Sequence, residues 1–233
     1  MANILLTGAS RGIGAAAFTA LTAAGHHVIG QSTRGGDGFL AADFAEPRVA
    51  DRMWAEALAR AGGRIDVVVN NAGVFEDADI NDADEFERIW QRSLAINLQS
   101  VADLCRHAVL HFRQHGGGRI INVASRAGHR GDAPANWHYA AAKGGLLAMT
   151  KTLARAYSGE NILCYAIAPG FVLTPMAEDY LAGPNGDRIR GEIPLGRVAE
   201  ASEIAETIRW LASEAPPSLT GATLDVNGAS YVR

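Results

Sequence analysis

Thr7-Gly8-Ala9-Ser10-Arg11-Gly12-Ile13-Gly14 joins a short apolar run, Asn3 to Thr7, to a helical stretch from Ile13 to Ala24 that Gly25 stops. Strand, glycine-rich turn and helix in that order open a βαβ unit. Glycines let the backbone turn tightly and approach a pyrophosphate, which rests on the free N–H groups and positive end of the helix. The spacing is TGxxxGxG rather than GxGxxG. A turn needing one positive φ would explain one glycine, but not three so spaced.

Outward from this turn, short β-rich runs alternate with helical ones. His27–Ser32 reads as a second strand, and Thr33–Gly38 is glycine-rich and too short for a helix, so the usual crossover helix is missing there. Phe39–Ala42 is a short third strand, Glu46–Ala61 a helix, and Ile65–Asn70 a fourth strand. Two helices are expected over Asp84–Gln114, with a break near Asn97. Arg119–Ala124 and Ile162–Ala168 read as strands five and six around a helix at Tyr139–Tyr157. Thr174–Pro194 shows no clear periodicity and is expected to be a mobile segment near a site. A helix at Ser202–Ser213 and a strand at Thr223–Val226 close the chain. The alternation predicts an α/β fold: one doubly wound parallel sheet, Rossmann-like, with helices on both faces and a single domain over 1–233.

Composition narrows the classes. The 233 residues carry a formal net charge of -4 and no basic run, which argues against a nucleic-acid binder. No apolar stretch reaches the length of a membrane span, and Met1–Gly14 lacks a signal peptide's basic start, so a cytoplasmic protein without membrane contact is expected. Cys105 and Cys164 form no CxxC pair and read as buried thiols. Of 21 basic residues only Lys143 and Lys151 are lysines.

Further motifs follow in order: Asn70-Asn71-Ala72-Gly73, Asn97 within Ile96-Asn97-Leu98, Ser125, Tyr139-Ala140-Ala141-Ala142-Lys143, and Pro169-Gly170 with Thr174. On these and the glycine turn, the chain resembles the short-chain dehydrogenases/reductases over essentially its full length. Tyr139 and Lys143 are four apart on a helix and project from one face. A nearby ammonium lowers the pKa of a phenol, near 10 when free, and so makes it a usable acid and base. The resemblance implies Tyr139 as the acid that protonates a carbonyl oxygen and Lys143 as the group that perturbs it and binds the nicotinamide ribose. It further implies Ser125 as the group that binds the substrate oxygen, and Asn97 as a helix interruption holding a water that links Lys143 to solvent. Ser125 stands one position further before Tyr139 than in most family members, and the loop Gly128–Trp137 is expected to absorb the difference.

The same resemblance implies a nicotinamide cofactor held by Gly8, Ser10, Arg11, Gly12, Ile13, Gly14, Asn70, Ala72, Gly73, Tyr139, Lys143, Pro169, Gly170, Val172 and Thr174, with Asp43 and Phe44 at the adenine. NAD-preferring relatives carry an acidic residue at the end of strand two; here Gln31-Ser32-Thr33-Arg34 has none before Asp37. Arg11 and Arg34 can clamp a 2′-phosphate, so NADP(H) is the preferred cofactor, with NAD(H) possible.

His107, His111 and His115 would form a stripe read as subunit interface or solvated surface; no metal site is expected. Arg126, His129 and Arg130 form a basic cluster at the expected pocket mouth, suited to an acidic substrate, an acyl carrier or solvent alone. Trp137 and Met176–Ile193 are expected to shape the substrate pocket. The reading is a reductase of a small-molecule ketone, assembled as a homotetramer. Pro194-Leu195-Gly196-Arg197 and the ending Thr220–Ser230 look most like the branch of 3-oxoacyl-(acyl-carrier-protein) reductases, with acyl carrier protein then a partner. An NAD-dependent alcohol or sugar dehydrogenase fits the same motifs. So does a non-catalytic nucleotide-sensing module, which the intact Asn97, Ser125, Tyr139 and Lys143 disfavour.

Overall fold

The computed structural model describes residues 1–36, 38–183 and 186–233; Asp37, Pro184 and Asn185 lie outside the described residues. In chain order the elements are β1 (Asn3–Leu6), α1 (Gly12–Ala23), β2 (His27–Ser32), β3 (Leu40–Ala41), α2 (Val49–Arg60) and β4 (Val67–Asn70). They continue with α3 (Ala83–Leu94), α4 (Ser100–Gln114), β5 (Gly118–Val123), α5 (Ala127–Arg130), α6 (Trp137–Tyr157) and β6 (Ile162–Pro169). Last come β7 (Val172–Leu173), α7 (Pro175–Ala182), α8 (Gly186–Gly191), β8 (Ala199–Glu200), α9 (Ala201–Ser213) and β9 (Thr223–Val226).

Seven strands pair in the order β3-β2-β1-β4-β5-β6-β9, all parallel. Parallel strands buried on both faces need apolar residues in a row, and Ile162–Pro169 is buried at every position. One face of the sheet packs Leu5, Val68, Ile120 and Cys164 against residues of α2, α4 and α6, including Trp54, Leu104, Phe112 and Leu146. The other packs Ile4, Leu6, Val69, Ile121 and Tyr165 against Leu21 of α1 and Ile204, Ile208 and Leu211 of α9. Each such side chain, fully withdrawn from water, stabilises the fold by roughly 1.5–3 kcal/mol.

The connection from β1 runs to β2 on one side while β4 lies on the other, so the order reverses between β1 and β4. A crevice must open there above the carboxyl ends of the strands, and that is where ligands bind in such sheets. As expected, no helix fills the chain between β2 and β3 among the described residues; Asp37, part of that stretch, lies outside them.

Three expectations are corrected. The helix around Asn97 does not break: a π-helical turn, Ala95–Gln99, carries α3 straight into α4. Such turns admit one extra residue without ending the helix and concentrate at functional sites. Thr174–Pro194 is not irregular, apart from Pro184 and Asn185, which are not described. It folds into α7 and α8 around its own apolar cluster of Ala177, Leu181, Ile189, Ile193 and Val198. Ala177 and Leu181, like Ile189 and Ile193, stand four apart, but helices of eight and six residues are too short to show a period.

The histidine stripe packs within the chain rather than standing free in solvent. His107 stacks on Trp54 at 5.6 Å and bonds Asp51 at 2.7 Å. His111 is buried, accepts the Ile65 N–H at 3.1 Å, and stacks on His115 at 4.0 Å. The stripe is the seam between α4 and α2, and burial holds the His111 pKa below its ordinary value.

Candidate active site

The crevice is a cavity of about 310 Å³ that runs from the glycine turn, past the loop after β4, to the start of α6. The turn is held by interactions that tolerate almost no side chain. Thr7 Oγ accepts the N–H groups of Asn71 and Ala72 at 2.9 and 3.0 Å, tying the loop after β1 to the loop after β4. Asn71 Nδ2 donates to the Thr7 and Gly8 carbonyls at 3.0 and 3.2 Å. A Cβ on Gly14 would stand 1.9 Å from the Gly8 oxygen, and one on Gly8 would stand 2.9 Å from the Ala72 Cα. Gly12 needs a φ of +54°, which favours glycine.

Helix α1 begins at Gly12 with no acidic residue in its first turn and no side chain capping it. Its first N–H groups and dipole therefore face the cavity uncompensated, the chemistry an anionic pyrophosphate requires. These residues fit a dinucleotide. At the end of β2 the buried Gln31 accepts the Gly8 N–H at 2.8 Å and donates to the Ala42 carbonyl at 2.7 Å. It locks the turn to β2 and puts a neutral amide where an acidic residue is absent. Sequence reading did not assign Gln31 this work, because a glutamine at a strand end carries no motif.

At the other end of the cavity, α6 carries Tyr139 and Lys143 onto one face, and Ser125 follows β5; all three line the cavity. Gly128 allows the approach, since a Cβ there would meet the Lys143 backbone at 2.7 Å, so α5 packs directly on α6. Between Ser125 and Tyr139 the chain turns at Gly131, at a φ of +80°, and passes through a 3-10 turn at Pro134–Asn136. Ser125 stands beside the phenol, and its hydrogen bond acts on the Tyr139 pKa.

Burial nevertheless pushes the phenol up to about 12, with Asp132 adding to the rise and the Ser125 bond offsetting part of it. The expectation that Lys143 draws the Tyr139 pKa down is not met in this arrangement. Lys143 Nζ lies 5.7 Å from the phenol ring centroid and donates to the Val123 carbonyl at 2.9 Å. Burial lowers the lysine itself to about 8. Phe75 closes over Tyr139 edge-to-face at 4.8 Å and meets Tyr180 of α7 at 5.3 Å; the sequence offers no sign of Phe75, whereas Tyr180 falls in the Met176–Ile193 stretch expected at the pocket.

The cavity collects most of the residues singled out in the sequence: Gly8, Ser10, Arg11, Gly12, Ile13, Gly14, Asp43, Phe44, Ala72, Gly73, Ser125, Tyr139, Lys143, Pro169, Gly170, Val172 and Thr174. Four lie elsewhere. Asn70 is buried in the sheet, where it donates to Asn122 at 2.8 Å; Asn122 in turn donates to Thr150 of α6 at 2.9 Å. This buried polar chain sets the depth of the helix that carries Tyr139 and Lys143.

Asn97 lies behind the cavity wall, its Oδ1 accepting the Val74 N–H and its Nδ2 donating to the Val74 carbonyl and Ser93 hydroxyl, all at 3.0 Å. It thereby fastens the loop after β4. Arg34 is exposed beyond Thr33 and does not line the cavity. Trp137 is 53% exposed and rests on Phe86, so it does not shape the pocket. It stands two residues before Tyr139, about 200° around the helix, which turns it away. Met176, Ala177 and Tyr180 do line the pocket. Of the basic cluster, Arg126 and Arg130 line the cavity, while His129 stacks on Tyr231 at 5.6 Å.

A parallel sheet with a phosphate-suited turn at its switch point, and a phenol, a hydroxyl and a buried amine at the far end of one cavity, define a dinucleotide-dependent oxidoreductase. The chain belongs to the short-chain dehydrogenase/reductase family. Residues 8–229 match the family described as enoyl-(acyl carrier protein) reductase. The chain is 34% identical to the acetoacetyl-CoA reductase of Rhizobium meliloti, with 97% of each chain covered. It is 35% identical to a 3-oxoacyl-(acyl-carrier-protein) reductase of Salmonella typhimurium, covering 98% of this chain and 96% of the relative. It is 37% identical to a protein of the same name from Synechocystis, over 96% and 94%. The protein is accordingly an enzyme that acts on CH–OH groups with NAD(P) as acceptor. No helix among the described residues is long and apolar enough to cross a membrane.

Proposed function

We propose that this enzyme reduces a ketone to a secondary alcohol at the expense of NADPH, reversibly. The observation that carries the reading is that Ser125, Tyr139 and Lys143 line the same cavity as the glycine turn. A bound nicotinamide would supply the hydride that the carbonyl carbon accepts. The chain's own residues do the rest. Gly8, Ser10, Arg11, Gly12, Ile13 and Gly14 hold the pyrophosphate end, Asp43 and Phe44 the adenine, and Ala72, Gly73, Pro169, Gly170, Val172 and Thr174 the remainder.

Ser125 and Tyr139 hydrogen-bond the substrate oxygen and orient it. Held at about 12, the phenol keeps its proton at neutral pH until the carbonyl carbon gains its hydride. The alkoxide then formed is far more basic than a phenolate, so the proton moves to it downhill. Lys143, at about 8, can hold either protonation state near neutrality and is the group to return a proton to Tyr139. Asn97 and Asn70 act through position, fastening the Gly73 loop and α6. The preference for NADP(H) over NAD(H) is supported by the neutral Gln31 at the end of β2 and by Arg11 at the cavity, with Arg34 on the loop beyond. The names of the relatives favour a 3-oxoacyl thioester, on coenzyme A or acyl carrier protein, as the narrower substrate class. The whole chain, 1–233, is read as one domain in a cytoplasmic homotetramer, a reading supported by β9 lying at the free edge of the sheet.

The test is spectrophotometric turnover of ketones, 3-oxoacyl thioesters, 2-enoyl thioesters and sugars with each cofactor, for the wild type and Tyr139→Phe. Ketone or 3-oxoacyl turnover that the phenylalanine variant loses, with dinucleotide affinity intact, is the expected result. Turnover of enoyl thioesters alone, or dinucleotide binding with no turnover of any compound, overturns the reading.

A further inference from the structure

The substrate half of the cavity contains a charge that the fold leaves uncompensated. Arg126 follows Ser125 directly, lines the cavity, and is only 7% exposed. Its guanidinium lies over the Phe171 ring at 5.1 Å, while its backbone N–H donates to the Pro169 carbonyl at 2.9 Å. Among the described residues the side chain makes no hydrogen bond and no salt bridge, and Nη1 is fully enclosed without a partner. Asp132 and Glu192 act on it only through space, and neither forms an ion pair with it. Arg130, four residues on and also at the cavity, adds a second positive charge that opposes the first.

A buried guanidinium whose enclosed Nη1 finds no acceptor is expensive to keep, because that nitrogen's hydration is lost and no hydrogen bond replaces it. Packing alone does not require it; a methionine would fill the same space on Phe171 without that cost. The arrangement becomes favourable when an anion enters the cavity, since a guanidinium takes a carboxylate or phosphate in a bidentate pair. From this orphaned guanidinium on a cavity-lining residue beside Ser125 we infer that the preferred substrate is an anionic ketone, whose carboxylate or phosphate is held by Arg126 while Ser125 and Tyr139 hold its carbonyl oxygen. Arg126 is then a specificity residue, with Arg130 reinforcing the field at the mouth. The inference rests on the ketone-reducing reading of Ser125 and Tyr139, and narrows it to a charged substrate class.

The test compares matched pairs: 4-oxopentanoate with its methyl ester, and hydroxyacetone phosphate with hydroxyacetone. The wild type should favour the anionic member of at least one pair in kcat/KM. The pair that responds distinguishes carboxylate from phosphate. Arg126→Met should reduce that preference by about 10- to 100-fold, the range of one charge-assisted pair, mainly through KM, with neutral ketones little affected. Arg126→Lys should recover part of it. Both variants should retain the thermal unfolding midpoint of the wild type or exceed it.

A second measurement needs no turnover. The wild type should be protected against thermal unfolding by 4-oxopentanoate or by hydroxyacetone phosphate, and Arg126→Met should lose that protection. Equal kcat/KM for charged and neutral members, or a preference that survives Arg126→Met, overturns the inference. Absence of turnover on every ketone, with anion protection still dependent on Arg126, would instead sink the ketone-reducing reading and leave the anion site standing.

Discussion

Lys143 should make this protein less stable at neutral pH than it would be without it. The side chain is 4% exposed, its single hydrogen bond among the described residues is to the Val123 carbonyl, and burial lowers its pKa from 10.5 to about 8. A lysine whose pKa falls on folding binds fewer protons folded than unfolded, so stability rises as pH climbs from about 8 towards 10.5 and is lowest below that window. Two to three pKa units, at about 1.4 kcal/mol each, correspond to a penalty of about 3 kcal/mol at pH 7, falling to about 2 at pH 9 and about 1 at pH 10.

Lys143→Met removes the penalty but leaves the Val123 oxygen without its donor, a cost of about 1–2 kcal/mol. The variant should therefore gain about 1–2 kcal/mol at pH 7, raising Tm by about 2–8 °C for a chain of this length. By pH 10 the gain should vanish or reverse. Cys164 and Tyr139, both raised to about 12 by burial, destabilise the fold at high pH, but they do so equally in both proteins and cancel in the difference. Chemical denaturation at pH 7, 9 and 10, followed by circular dichroism, measures that difference. A variant less stable than the wild type at pH 7, or a gap that does not close with pH, refutes the claim that the buried ammonium is a net cost retained for chemistry.

Two further outcomes test the cofactor end. Arg11→Ala combined with Arg34→Ala should weaken NADPH binding at least tenfold more than NADH binding, read by fluorescence titration; equal losses would reject the 2′-phosphate assignment. Gly14→Ala places a Cβ 1.9 Å from the Gly8 oxygen and should cost about 1–3 kcal/mol of stability together with most dinucleotide affinity, since the turn and the Gln31 bond to the Gly8 N–H must both shift. Calorimetric melting of the variant with and without NADPH checks both effects, and wild-type affinity would mean that the turn does not hold the pyrophosphate.

Much of this enzyme is legible in its sequence. Strand β2 begins and ends where the glycine and apolar punctuation put it, and β9 likewise. The glycine turn, Tyr139 and Lys143 could be singled out because each is a short-range pattern: a βα junction in one case, two residues one helical turn apart in the other. The segment from Thr174 to Pro194 could not be read, since its helices are shorter than the window in which a period emerges. Trp137 was misplaced for a related reason, because the direction of a side chain depends on the phase of its helix and not on its distance in sequence from Tyr139.

The sequence by itself determined the layers of the fold, the turn that suits a pyrophosphate, and the phenol–amine pair, because local spacing and periodicity encode all three. Only the tertiary structure decided what surrounds those groups. Burial, which no pattern of spacing reports, sets the phenol at about 12 and the amine at about 8. Burial also turns Asn70 and Asn97 into fasteners rather than cavity residues, and the histidine stripe into a seam against α2. It enclosed Arg126 without a partner, because whether a charge is solvated or orphaned depends on residues such as Phe171, distant in the chain and brought together only by folding.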